Sequence, residues 1–175
     1  MPSIKGRALY FYGSSNYVDC GNDTSVRIQG PITLMAWIKP YVLDRIEQKI
    51  ITKESDAVSG YVVSLGNNTL AGRAGYDNTG DGHGRSLASA AIMTLDWQNV
   101  AMTYDGSVIR LYRNGVEVAS KANTGSTGNP PYHLTLGKRD EYNALFFYGL
   151  MDEIRIYNTT LDSATIKNFY DQYKP

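Results

Sequence analysis

Residues 96–120 read DWQNVAMTYDGSVIRLYRNGVEVAS, and this stretch decides the fold class. It contains two runs rich in apolar, β-branched and aromatic residues that are separated by Asn114 and Gly115. These two residues supply the positive φ angles that a two-residue type I′ turn requires. The stretch therefore predicts a β-hairpin over residues 108–120.

The turn also sets the pairing of the two strands. In a two-residue hairpin Arg113 faces Val116, and we expect Leu111 to face Val118. Side chains alternate between the two faces of a strand, so one face of the hairpin is predicted to join a core and the other to face solvent.

The same pattern of short β-branched or aromatic runs between turn residues continues in both directions along the chain, as in an all-β domain. The other predicted strands are 8–12, 17–20, 32–38, 49–53, 61–65, 69–74, 98–104, 133–136 and 150–157. Residues 76–85 and 123–131 are rich in Gly, Asn, Asp and Pro and are predicted to be loops.

One C-terminal segment has helical spacing instead. Four apolar or aromatic side chains recur there at i, i+3, i+4 and i+7: Ile166, Phe169, Tyr170 and Tyr173. Asp162 or Ser163 provides the N-cap. A short C-terminal helix that packs over the strands is expected.

Composition limits the possible partners. The 175 residues include 17 basic and 17 acidic side chains, so no strong field attracts nucleic acid or an anionic membrane. No run approaches the roughly 18 apolar residues of a membrane span, so no membrane insertion is expected. Cys20 is the only cysteine, which excludes an intrachain disulfide. No change in composition divides the chain, and residues 1–175 are predicted to form one domain.

Seven segments carry a resemblance to a known family, in the order and spacing that the family shows. They are ALYFYGSSNYV (8–18), ITLMAWIKP (32–40), KIITKES (49–55), GYVVSLG (60–66), the stretch 96–120, LTLGKR (134–139) and FFYGLMDEIRIYNTTLDSATIKNFY (146–170). Together they closely resemble the laminin-G-like, concanavalin-A-like lectin and glucanase superfamily. The resemblance implies a two-sheet antiparallel jelly-roll sandwich with a short C-terminal helix.

It also implies function by binding, because such modules are mostly attached to secreted glycoside hydrolases, sialidases, adhesins or cell-surface proteins. Catalytic members of the superfamily carry acidic residues at alternate positions of one strand, where two carboxylates flank a glycosidic bond. No strand here has that pattern. The glutamates are scattered singly along the sequence, at Glu47, Glu54, Glu117, Glu141 and Glu153. No acid pair and no enzyme activity are therefore expected.

The resemblance further implies a structural calcium near the N- and C-terminal strands. Asp152 is the expected carboxylate ligand, because strand alternation predicts that it shares a face with apolar residues 150, 154 and 156 and needs compensation. Gly13 and Asn16 would add a carbonyl and an amide oxygen. The family's usual Phe-Asp-Gly reads Phe-Tyr-Gly at 11–13, which removes one carboxylate. In the alternative, Asp152 accepts backbone N–H or tyrosine hydroxyl groups and no metal is present.

Ligand-binding residues are expected on loops, where binding groups concentrate on a rigid scaffold. Trp37 and Trp97 are predicted to pack in the core instead. The candidates combine Arg and Asp, which read sugar hydroxyls or carboxylates, with Tyr rings for stacking. They are Arg73, Tyr76, Asp77, His83 and Arg85 in and before the 76–85 loop, and Arg139, Asp140 and Tyr142 after residue 136.

These observations favour a non-catalytic carbohydrate-binding module. It would be calcium-assisted, would bind a polysaccharide or glycan, and would belong to a larger extracellular or cell-surface protein or glycan-active enzyme. The alternative is a protein-binding or structural module, such as an adhesin, surface-layer or viral particle domain. An exposed apolar patch would favour that alternative, and a groove lined by Tyr and Arg would favour sugar.

Overall fold

Alternating strand patterns dominate the structure, a computed structural model that describes residues 3–55, 60–76, 85–91 and 93–175. Over these residues the chain forms twelve strands, a short 3-10 helix (Thr24–Val26) and one α-helix, α1 (Ser163–Tyr173). The strands are β1 (Leu9–Tyr12), β2 (Val18–Asp19), β3 (Ile32–Pro40), β4 (Gln48–Lys53), β5 (Tyr61–Gly66), β6 (Thr69–Tyr76), β7 (Arg85–Ala91), β8 (Gln98–Tyr104), β9 (Val108–Arg113), β10 (Val116–Ala122), β11 (Thr135–Leu136) and β12 (Tyr148–Tyr157).

The strands form two antiparallel six-stranded sheets. The first sheet has the order β1-β12-β3-β8-β9-β10, and the second has the order β2-β11-β4-β5-β6-β7. The all-β jelly-roll sandwich expected from the sequence is thereby confirmed.

The core lies between the sheets because the strands place alternate apolar side chains there. On β3, Ile32, Leu34 and Ile38 are fully buried in a cluster that also contains Val63 of β5 and Leu111 of β9. Each such side chain contributes about 1.5–3 kcal/mol by leaving water, so facing apolar surfaces hold the two sheets together.

The predicted hairpin is present, and its turn has the expected geometry. Asn114 and Gly115 have φ angles of 52° and 77°, and Val116 pairs with Arg113. The predicted pairing of Leu111 with Val118 is wrong, because a β-bulge between residues 117 and 119 shifts the register and Ala119 takes that place. One extra residue in a strand moves the following side chains by one position.

The C-terminal helix is also present, and it covers the outer face of the first sheet. Asp162 is the N-cap, and its Oδ1 accepts the backbone N–H of Thr165 at 2.7 Å. Ile166 is fully buried, and the ring of Tyr170 stacks on Trp37, with centroids 5.7 Å apart. Trp37 is therefore buried beneath the helix, whereas Trp97 is only half-buried. Within the described residues, no helix has the length and apolar character needed to cross a bilayer.

Strand β7 was not expected from the sequence. Its residues RSLASAA are mostly small and have little β-propensity, so the segment lacks the pattern that identifies the other strands. Tyr76 and Arg85, predicted to lie in a loop, are the last residue of β6 and the first residue of β7 and pair with each other.

A second β-bulge, between Asp152 and Arg155, changes the predicted face of Asp152. Asp152 pairs with Trp37 on the outer side of the first sheet, while Ile154 and Ile156 pack against the core. The prediction that Asp152 shares a face with these isoleucines is therefore wrong. Glu153, within the bulge, has a φ of 47°, which reverses the alternation at this point.

Candidate functional site

The outer face of the second sheet carries a row of polar and small side chains across three strands. Lys49 on β4 pairs with Ser64 on β5, which pairs with Ala71 on β6. Val63 belongs to the core, so Ser64 beside it points away from the core. Arg73 lies two residues beyond Ala71 and shares its face.

Five charged side chains meet on this face and are called the charged cluster: Glu47, Lys49, Glu54, Arg73 and Arg139. The Lys49 ammonium lies 2.7 Å from Glu47 Oε1 and 2.5 Å from Glu54 Oε1. Arg73 bridges the same carboxylates, with Nη2 3.0 Å from Glu47 Oε1 and Nη1 3.5 Å from Glu54 Oε2. Arg139 Nε lies 4.0 Å from Glu54 Oε1. Cations and carboxylates thus alternate, which compensates the charge of the fully buried Lys49.

The cluster brings two carboxylates together, contrary to the expectation that the glutamates stay apart. Because Glu47 Oε1 and Glu54 Oε1 contact the same Lys49 nitrogen at 2.7 and 2.5 Å, they lie no more than 5.2 Å apart. A retaining glycosidase also brings two carboxyl groups together, about 5 Å apart, but one of them must hold a proton.

Neither carboxyl group can supply that proton near neutral pH. Burial alone would raise the pKa of Glu47, but the charges of Lys49 and Arg73 outweigh burial and lower this pKa to about 2. The same two cations lower the pKa of Glu54 against its burial. Both groups are ionised and held between cations, so the pair lacks the general acid of a glycosidase.

Acid should weaken the fold through Glu47. A carboxylate whose pKa is lowered from 4.5 to about 2 stabilises the folded state fully above pH 4.5, and this contribution is lost as the pH falls towards 2. We expect the urea midpoint to fall more steeply in this interval for the wild type than for Glu47→Gln, which has no carboxylate to titrate. Parallel losses in the two proteins between pH 4.5 and 2 would contradict this assignment.

Of the ligand-binding residues predicted from the sequence, Arg73, Arg139 and Tyr142 are brought together. Arg73 and Arg139 both approach Glu54, although they come from β6 and from the turn after β11. Arg139 also pairs with Glu141, and its guanidinium lies 4.8 Å from the centroid of the Tyr142 ring. That ring is 59% exposed.

Asp140 supports the turn that carries Arg139. Its Oδ2 accepts the backbone N–H of His133 at 3.0 Å, and its Oδ1 lies 3.3 Å from Lys138 Nζ. Both oxygens are therefore used within the turn. Asp77 and His83 lie outside the described residues, as do the side chains of Tyr76 and Arg85.

A groove of about 350 Å³ opens beside Arg73 and is called the Arg73 groove; Glu47, Ser64, Asn67 and Ser89 also line it. Glu47 Oε1 accepts the Ser64 hydroxyl at 2.9 Å in addition to its two cations. Both of the hydrogen bonds that Glu47 accepts from described residues end on Oε1 and none on Oε2, and the side chain is 19% exposed. The groove therefore offers guanidinium donors beside a carboxylate acceptor, as polar ligands of small-molecule size require.

A larger cleft, of about 480 Å³, lies at the edge formed by β1 and β12. Apolar side chains form much of its lining, among them Leu9, Leu136, Met151 and Ile156, and Arg7, Asp152 and Glu153 also reach it. Asp152 and Glu153 already accept hydrogen bonds from other parts of the protein. The Arg73 groove is the better candidate for a sugar.

The residues expected to hold calcium are not brought together. Asp152 follows Met151, which pairs with the first residue of β1, whereas Gly13 and Asn16 follow the last residue of β1. The length of a strand thus separates the carboxylate from the other two expected ligands.

The polar atoms of these residues also have other partners. Asp152 Oδ2 accepts the backbone N–H groups of Ile4 and Lys5 at 2.8 and 2.9 Å, as the alternative without metal predicts. Asn16 accepts the N–H of Tyr12 and donates to a backbone carbonyl. The described residues contain no group of three or more His, Cys, Asp or Glu side chains that could hold a metal ion. The three residues do not fit a calcium site.

Sequence reasoning missed Glu47, Lys49 and Glu54 as members of the site. Lys49 precedes the apolar pair Ile50 and Ile51, and a lysine that is buried beside such residues needs polar or charged partners. That signal pointed to acidic residues nearby, and Glu47 and Glu54 flank the same strand. Their convergence on Arg73 depends on pairing between β4, β5 and β6, which the sequence pattern does not specify.

Comparisons with known proteins agree with this architecture. The family model described as "Concanavalin A-like lectin/glucanases superfamily" matches residues 12–167. No curated protein sequence is significantly similar to the chain.

Solved structures share the fold at low sequence identity. The carbohydrate-binding domain (CBM40) of a Ruminococcus gnavus IT-sialidase, bound to α2,3-sialyllactose, is 14% identical, with a TM-score of 0.74 over 97% of this chain and 99% of that chain. The binding domain of Paraclostridial Mosquitocidal Protein 1 is 15% identical, with a TM-score of 0.72 over 98% of this chain and 44% of that one. The binding domain of Botulinum neurotoxin DC, in complex with rat synaptotagmin II, is 13% identical, with a TM-score of 0.71 over 97% and 46%. The chain thus spans less than half of either toxin domain.

Proposed function

The chain belongs to the concanavalin A-like lectin/glucanases superfamily, and on this premise we propose that it is a carbohydrate-binding module. Its glycan site is the Arg73 groove together with the neighbouring Arg139 and Tyr142. The observation that carries this proposal is the meeting of Arg73 and Arg139, from separate elements, over one buried carboxylate, Glu54.

The ligand class is a glycan that bears a carboxylate. Guanidinium groups bind carboxylates through paired N–H donors, and Arg73 is held in place by two carboxylates before any ligand arrives. The open Oε2 of Glu47 would accept a hydroxyl or amide proton of the same sugar. The sialyllactose bound by the R. gnavus domain is one glycan of this class and is a suitable first probe.

Calorimetric titration with α2,3-sialyllactose and with lactose tests this assignment. We expect sialyllactose to bind and lactose to bind at least about tenfold more weakly, because lactose lacks the carboxylate that Arg73 would hold. Equal affinity would contradict carboxylate recognition. Failure to bind sialylated glycans, uronate polysaccharides and neutral glycans alike would contradict the carbohydrate-binding role.

A glycan ligand also suggests where the protein acts. Polysaccharides and glycans of this kind are displayed outside cells, so the module would work in an extracellular or cell-surface setting. There it would anchor further domains of a larger parent protein, such as a glycan-active enzyme, to their target.

One observation favours the alternative of a protein-binding or adhesion module. Four tyrosines contact one another at the edge of the first sheet: Tyr10, Tyr12, Tyr41 and Tyr148. Tyr12 is 57% exposed, and tyrosines are enriched at protein interfaces. Retained partner binding by Arg73→Ala, together with its loss in Tyr12→Ser, would favour this alternative.

A further inference from the structure

The side chain of Arg45 enters the turn that follows β1. Its Nη1 donates hydrogen bonds to the carbonyl oxygens of Gly13 at 2.8 Å and Phe146 at 3.2 Å. The guanidinium also lies 5.6 Å from the centroid of the Tyr148 ring. One cation therefore joins the segment after β1 to the segment before β12.

The turn is shaped around this cation. Gly13 has a φ of +77°, and a Cβ atom there would stand 2.8 and 3.0 Å from Arg45 Nη1 and Nη2 and 2.7 Å from Tyr148 Cβ. A side chain at this position would push the guanidinium out of the turn. The guanidinium can therefore occupy this turn only while residue 13 has no side chain.

We propose that the Arg45 guanidinium is the built-in cation of this turn, in the position that family resemblance gives to calcium, and that the fold needs no calcium. The Gly13 carbonyl, one of the expected calcium ligands, already accepts a charged donor. Guanidinium and Ca²⁺ both bind carbonyl oxygens, and two such cations in one turn would repel each other. Asp152, the carboxylate expected to attract calcium, is occupied at the other end of β1.

The same residue links this turn to the Arg73 groove. The Arg45 carbonyl accepts the backbone N–H of Asn67 at 2.8 Å, and Asn67 lines the groove. Through its carbonyl and its guanidinium, Arg45 therefore connects Asn67 at the groove with the segments next to β1 and β12 in the first sheet. If the proposed function is right, glycan affinity should be the same in calcium and in chelator.

Thermal melts of the whole chain test this inference independently of glycan binding. The wild type should melt at the same temperature in excess calcium and in EDTA. A ligand raises the melting temperature by binding to the folded state, and we expect no calcium to bind there. Arg45→Met should lower the midpoint by about 5 to 10 °C, since two carbonyls lose a charged donor. The matched control is Arg27→Met, which removes an exposed arginine whose Nε donates to one carbonyl, that of Asn22; its midpoint should change little.

Three results would overturn the inference: a lower wild-type midpoint in EDTA, a higher one in calcium, or an Arg45→Met midpoint equal to that of Arg27→Met. A chain that binds no glycan at all would give the same melts. Failure of the proposed function is therefore distinguishable from failure of this inference.

Discussion

Replacing Arg73 with alanine should weaken binding of α2,3-sialyllactose about 100-fold, since two hydrogen bonds to a charged group are lost at the centre of the groove. Arg73→Lys should recover only part of the affinity, because an ammonium keeps the charge but loses the planar fork. Calorimetric titration measures both changes.

The control for this substitution is Arg110→Ala. Arg110 also lies on a strand and pairs with a carboxylate, Asp105 at 2.6 Å, but it belongs to the first sheet. Its loss should leave the affinity unchanged. An Arg73→Ala protein that folds, as judged by circular dichroism, and binds with wild-type affinity would exclude the Arg73 groove as the site.

Replacing Lys49 with methionine should lower the free energy of unfolding by about 3–5 kcal/mol, the usual cost of removing one partner from a buried ion pair. Lys49 is fully buried between Glu47 and Glu54, so its loss removes the cation that lies nearest to both carboxylates and leaves Arg73 and the more distant Arg139. Urea titration would show this as a lower midpoint with an unchanged slope.

Two further variants make this result interpretable. Lys49→Met combined with Glu54→Gln should regain part of the lost stability, because the uncompensated buried charge is removed as well. Lys167→Met removes a lysine from an exposed i,i+4 pair with Asp171 and should cost less than about 1 kcal/mol. A Lys49→Met protein as stable as the Lys167→Met protein would show that the charged cluster does not support the sheet.

Local signals in the sequence were sufficient for most of the fold. The positive φ angles of Asn114 and Gly115, the cap at Asp162 and the alternating run of β3 each depend on residues close together in the chain. Such features are visible in sequence because turn chemistry and side-chain period act locally. Strand β7 is not predicted, because its Ala and Ser side chains do not alternate between apolar and polar residues.

The site was only partly predictable, because its residues come from segments that are distant in the sequence. Arg73, Arg139 and Tyr142 could be selected by residue type, but their meeting over Glu54 depends on the register of several strands. The bulge after Asp152 places this expected calcium ligand on the opposite face of the strand from Ile154 and Ile156. The residue types in this segment do not predict a bulge. Arg45 gave no signal, because its partners are backbone carbonyls of segments distant in sequence.

A crystal structure of the protein soaked with α2,3-sialyllactose would show directly whether the Arg73 groove binds the glycan. We expect the sugar in the Arg73 groove, with its carboxylate within hydrogen-bonding distance, about 2.7–3.2 Å, of the Arg73 guanidinium. A well-ordered sugar on the tyrosines at the edge of the first sheet, or in the cleft between β1 and β12, with the Arg73 groove empty, would contradict this assignment.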